Sequence, residues 1–179
     1  MKTRLVTLAL LAAGALLAIG DFSGRRAPSF SLPDSNIVYY DILDYRGKVL
    51  LLEFMSANCS HCREVAPIFE KVKQKYGDKV AILSIVTYPP DDQKTVSEYV
   101  KDTKSVVPVL FDCGQVSSNY LKATPKDSKR DLPHVFVIDA AGTIRNDFAY
   151  GPDTKQIFTG PGLFAEIEKV SAKKPAAAK

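Results

Sequence analysis

Two apolar runs of strand length, residues 49–54 (VLLLEF, broken by the acid Glu53) and Val80–Thr87 (VAILSIVT), are the strongest constraint on how this chain folds. They lack the in–out alternation of a half-exposed strand, so they belong in a sheet covered on both faces. Between them the period changes. Val65, Ile68, Phe69, Val72 and Tyr76 recur at helical spacing, with Arg63, Glu64, Lys71, Lys73 and Lys75 on the other side, and Gly77 closes the segment.

The same alternation continues downstream. The loop YPPDD (residues 88–92) supplies a cap to a helix whose inner face is marked by Val96, Tyr99 and Val100. Residues 106–111 read as a third core strand and 116–121 as a short helix. A charged, turn-rich loop follows, KATPKDSKRDLP (residues 122–133). Residues 134–138 and 143–148 flank a hairpin turn around Gly142. Leu163, Phe164, Ile167 and Val170 mark a last amphipathic helix before a frayed tail, KKPAAAK. Ahead of the first core strand, residues 21–36 form an extended lead-in, 37–40 a short strand and DYRGK a turn at Gly47. Strands alternating with helices, then a hairpin, specify an α/β sandwich around a mixed sheet.

A chain of 179 residues is long enough to bury one core without metal or disulfide support. The formal net charge of +4 is spread without a dense basic stripe, which excludes a nucleic-acid-binding surface. The N-terminus is different in kind. Lys2 and Arg4 precede an apolar run at residues 5–19, and Ala18 and Gly20 put small residues where a signal peptidase reads. Residues 1–20 are therefore read as a secretory leader cleaved before Asp21. The alternative is an uncleaved anchor, the one arrangement in which the protein would touch a membrane. The run is shorter than the ~20 residues that span a bilayer comfortably. Export places the protein in the periplasm or cell envelope of a bacterium, where thiols meet an oxidising environment.

Two of the three cysteines stand in FMSANCSHCREVAP (residues 54–67). Cys59 falls where a buried strand ends and a helix begins, where unpaired N–H groups and the helix dipole favour an anion. A thiolate there is stabilised, and the thiolate is the reactive species. Cys62 lies one turn later, near enough to close a disulfide. Cys59 is thus the attacking thiol and Cys62 the resolving one, with His61 adding positive or hydrogen-bonding character beside them. A structural zinc site needs four ligands, and this chain offers one pair, a lone Cys113 and two histidines. No metal or other cofactor is called for.

Taken together, APSFSLPD, GKVLLLEFMSANCSHC, Pro67 and LPHVFVIDAAGTI resemble the thioredoxin-like superfamily. The resemblance is to its exported TlpA/ResA-like branch, related to the alkyl hydroperoxide reductase/thiol-specific antioxidant (AhpC/TSA) proteins. It covers residues 27–170. The implied fold is a thioredoxin-like three-layer sandwich over residues 21–172, a central mixed β-sheet flanked by helices, with 173–179 as a disordered tail. The implied activity is thiol–disulfide exchange with cysteine-containing protein substrates and a redox partner protein, in roles such as cytochrome c maturation or envelope redox repair. Cys59 and Cys62 match the redox pair, and Pro67 the proline inside the active-site helix. Pro133 matches a cis-proline facing the disulfide, with the Leu132 backbone presented to a bound polypeptide. Asn58, on the same substrate-facing side, stands where the family usually has tryptophan. Glu53 falls where thioredoxins keep a buried acid. It is expected either to relay a proton to or from Cys62 or to reach Lys48 or the sheet edge.

The intervening Ser-His resembles the Pro-His dipeptide of the oxidant DsbA more than that of most reductases, which leaves the direction of electron flow open. The long basic approach to Pro133 is read as a solvated loop, with partner selection as the alternative. His134 is expected to be packed or hydrogen-bonded, with a redox role as the minority reading. Cys113 is expected to be a buried, inert thiol. Two other functions compete. A peroxiredoxin-like peroxidase needs a Thr-x-x-Cys preceded by proline, which Ser56 to Cys59 only partly imitates. A Sco-like copper chaperone would use soft thiolates for Cu(I), but those proteins space their cysteines by three residues.

Overall fold

The computed structural model describes residues 22–122 and 131–172, so the expected leader and tail and the centre of the basic loop lie outside the described residues. A short antiparallel ribbon, β1 (Ser31–Pro33) and β2 (Tyr39–Asp41), precedes β3 (Val49–Met55), α1 (Ser60–Tyr76) and β4 (Val80–Thr87). Then come α2 (Gln93–Thr103), β5 (Val109–Asp112) and α3 (Gln115–Leu121). The hairpin β6 (His134–Ile138) and β7 (Ile144–Ala149) is followed by α4 (Lys155–Phe158) and α5 (Pro161–Ala172).

The main sheet has the order β5-β4-β3-β6-β7. β3, β4 and β5 run parallel, and β6 and β7 are antiparallel additions on the other side. The two apolar runs are therefore the inner strands of a mixed sheet, as their composition requires.

Side-chain alternation along β3 divides the core. Leu50, Leu52 and Phe54 pack with Leu83, Ile85, Leu110 and Phe136 beneath Val116 and Tyr120 of α3. Leu51 points the other way, with Ile82, Val135 and Val137, under Val65, Phe69 and Val72 of α1 and Leu163 and Ile167 of α5. Toward the strand ends this second face continues as Met55 and Val86 against Cys62 and Ala66 of α1 and Val96 and Tyr99 of α2. Glu53 and Ser84 share that parity, so the pleat alone aims both at the α1 side.

The helices are closed by local chemistry. Gly77 takes φ +54 at the end of α1, a conformation that side chains with a Cβ resist. Asp92 and Thr95 make a reciprocal capping box at the start of α2. The buried Asp112 accepts from Val116 N–H, Ser117 N–H and Ser117 Oγ, and so secures α3.

Several boundaries differ from expectation. β2 begins at Tyr39 because Ile37 takes φ +62 in a turn. Part of the lead-in is the strand β1. β5 begins only at Val109, after Pro108, which has no N–H to offer a ladder. Cys113 corrects the expectation of a buried thiol: it is exposed. Asp112 turns inward to cap α3, so the residue after it faces outward.

Candidate active site

β3 delivers the chain to a four-residue loop and then to α1, and Cys59 is the N-cap of that helix. The Cys59 N–H donates to Ser56 O at 3.0 Å, and the Cys59 carbonyl accepts from Arg63 N–H at 3.2 Å. Its Sγ accepts from Cys62 N–H at 3.2 Å, the bond that a capping oxygen would make. Cys59 is partly exposed; Cys62, one turn on, is fully buried against Met55, Val86 and Val96. The pair is a dithiol here.

The opposite wall is the start of β6. The Leu132–Pro133 peptide bond is cis, and Leu132 O accepts from Cys59 Sγ at 3.7 Å. Pro133 O in turn accepts from Tyr150 N–H at 3.0 Å. Leu132 is partly exposed and Asn58 exposed, so both stand at the surface beside the sulfur. Pro67 lies inside α1.

Glu53 lies behind Cys62 and is wholly buried. Its Oε2 accepts from Ser84 Oγ at 2.6 Å, while Oε1 has no partner. The partner is thus the residue opposite it in the sheet rather than Lys48. Burial pushes the Glu53 carboxyl up to about 8, against the lowering effect of the Ser84 bond. Burial pushes the Cys62 thiol up as well, and the neighbouring Glu53 charge and the bond to Cys59 push it further. An acid that titrates near neutrality thus sits beside a thiol that releases its proton reluctantly.

His61, the residue before Cys62, packs against Tyr150. Its ring stacks on Tyr150 with centroids 4.0 Å apart and planes 17° from parallel, and Nδ1 lies 3.4 Å from Glu64 Oε2. Its side chain is 44% exposed. His134 is buried and engaged by Asp147, Nε2 to Oδ2 at 3.0 Å, with its ring stacked on Phe136. This is the packing role. Among the described residues no group of three or more His, Cys, Asp and Glu side chains is placed to hold a metal ion.

Three supports were not read from sequence. Asp91 is buried, and its Oδ1 accepts from Ala57 N–H at 3.0 Å and Ser56 Oγ at 3.3 Å, holding the loop before Cys59. Burial raises its carboxyl and those two bonds lower it. Arg63 donates Nε to Ala57 O at 3.2 Å, pairs with Asp102 at 3.0 Å and lies over the Tyr99 ring, tying loop to α2. Ser84 is the third. It carried a signal: it is the one polar residue inside the VAILSIV run, as Glu53 is inside VLLLEFM.

Similarity to known proteins places the chain in a family and a fold. The AhpC/TSA family matches residues 23–147. The thioredoxin-like protein YneN of Bacillus subtilis is 27% identical over 139 residues, 77% of each chain. The thiol-disulfide oxidoreductase ResA of Bacillus thuringiensis subsp. konkukian is 26% identical over 134 residues, 74% of this chain and 72% of its own. In fold, a putative thiol:disulfide interchange protein DsbE from Chlorobium tepidum superposes with a TM-score of 0.66 at 20% identity, over 83% of this chain and 96% of that one. The chain belongs to the AhpC/TSA family and is a thiol–disulfide oxidoreductase of thioredoxin-like type.

Proposed function

We propose that the protein is exported and exchanges electrons with the cysteines of other proteins through Cys59 and Cys62. The observation that carries this reading is a partly open sulfur at a helix N-cap with a second thiol buried one turn behind it. Running as a reductase, Cys59 as thiolate attacks a partner disulfide. A Cys59–partner bond forms, and the other partner sulfur leaves with the electron pair and takes up a proton. Cys62 then gives its proton to Glu53 and attacks Cys59 Sγ, releasing the second partner sulfur. Two electrons pass to the partner, and Cys59–Cys62 ends as the disulfide. Oxidation is the same path reversed. Leu132 O and Pro133 line the side from which a partner chain approaches, and Asn58 borders it. His61, parked on Tyr150 next to Glu64, supplies a positive or hydrogen-bonding group at the rim.

Export rests on Lys2, Arg4, the apolar run at 5–19 and the small residues before Asp21. Among the described residues no helix is long and apolar enough to cross a membrane. For a peroxidase, Ser56 would have to serve the sulfur, but its hydroxyl is turned to Asp91.

The test is trapping. With a disulfide-bearing protein probe, Cys62→Ser is expected to accumulate a mixed disulfide through Cys59, and Cys59→Ser is expected to form none. Equal labelling of both variants, or of neither, overturns the reading. Equilibrating the wild-type pair against a glutathione series then gives the direction of electron flow: a strongly reducing potential marks a reductase and a high one an oxidase.

A further inference from the structure

We propose that Ser84 is a positioning residue for the resolving thiol: it holds one oxygen of Glu53, so that the other is left to exchange the Cys62 proton. The inference rests on the reading that Cys59 and Cys62 exchange with Glu53 as proton carrier.

Ser84 lies directly opposite Glu53 across the parallel β3–β4 pair, both are buried, and the 2.6 Å bond is short. The strand that carries Ser84 is itself held, since Ser84 N–H donates to Pro108 O at 3.0 Å. A carboxyl with two free oxygens would turn about its last torsion, which is broad and shallow. Here the hydroxyl occupies Oε2 and leaves Oε1 buried with no partner. A buried acceptor without a partner is costly unless it is used. The titratable groups that feel the Glu53 charge are the Cys62 thiol on α1 and the Tyr99 phenol on α2. β4 contributes only Ser84, and β6 places apolar Val135 opposite. Cys62 is therefore the proton source that Oε1 serves.

In the resolving step the Cys62 proton passes to Glu53 Oε1 as Cys62 Sγ attacks Cys59 Sγ. The Cys59–Cys62 bond forms, the bond from Cys59 to the partner breaks, and the partner sulfur leaves with the electron pair. Ser84 donates throughout and is strongest toward the charged carboxylate. It thereby lowers the carboxyl against the upward push of burial.

The experiment uses the full chain with the mixed disulfide between Cys59 and glutathione, following release of glutathione as a function of pH. In the wild type, release rises through the Glu53 titration near 8. In Ser84→Ala the rising limb is expected to move up by about one pH unit, which is about tenfold slower at neutral pH. The pair Ser84→Thr and Ser84→Val, equal in size and different only in the hydroxyl, guards against a packing effect: Thr is expected to keep the wild-type limb and Val to shift it. In the Glu53→Gln background, Ser84→Ala is expected to change nothing further. Uniform slowing at every pH with the limb in place, or an undiminished effect in the Gln background, overturns the inference. Failure of the underlying reading looks different: Glu53→Gln would retain the wild-type limb, or wild type would release no glutathione at all.

Discussion

Glu53 is wholly buried and held by one donor, the Ser84 hydroxyl, and that sets the sign of a stability prediction. Its folded-state value of about 8 lies above the ordinary 4.5. Between those values the native chain keeps a proton that the unfolded chain releases, so the contribution is complete below 4.5 and is lost as pH rises through 8. The loss is at most roughly 4–5 kcal/mol. In urea unfolding of the reduced protein, wild-type stability is expected to fall across that window. Glu53→Gln should flatten the slope and leave the variant more stable than wild type on the alkaline side. A parallel slope in both proteins would place the titrating group elsewhere. The acid in VLLLEF was legible from sequence, because a charge inside a buried run demands a reason. Its partner was not, because which residue faces it depends on strand register.

The loop between β3 and α1 is held from a distance. Asp91 accepts from Ser56 Oγ and Ala57 N–H, Arg63 Nε donates to Ala57 O, and Cys59 N–H donates to Ser56 O. Removing the Asp91 carboxylate leaves the buried Ala57 N–H unpaired, which costs about 1–3 kcal/mol. Asp91→Ala is expected to lower the thermal midpoint by roughly 5 °C and to slow mixed-disulfide formation at Cys59. Asp91→Asn keeps an acceptor and should stay near wild type in both. An unaltered exchange rate in the Ala variant would show that the loop keeps its shape without Asp91. The helix, its Gly77 stop and the N-cap position of Cys59 were readable because each is decided within a turn of chain. Asp91 was not, since it stands 34 residues from Ala57 and reads in sequence as one more loop acid.

Across the whole molecule, two apolar faces and one sheet set the stability and place the chemistry. Phe136 is fully buried between Phe54 and Tyr120, with ring centroids 5.7 and 5.3 Å away. Phe136→Ala is expected to cost about 3–5 kcal/mol, read as a lower denaturation midpoint at unchanged slope; a loss under 1 kcal/mol would mean that this face repacks freely. At the same scale, the proposed export predicts a mature chain that begins at Asp21 in mass analysis, and a mass that keeps residues 1–20 would mark an anchor instead. Local signals suffice for the class of fold, the strand-to-helix junction and the two thiols at its start, because apolar period, helix stop signals and a two-residue spacing are read within a few residues of chain. Long-range packing is what brings Ser84 to Glu53, Asp91 to Ala57 and His61 onto Tyr150, and what turns Cys113 outward. Those facts follow from register, crossover and the aim of individual side chains, which are settled when distant segments compete for the same buried space.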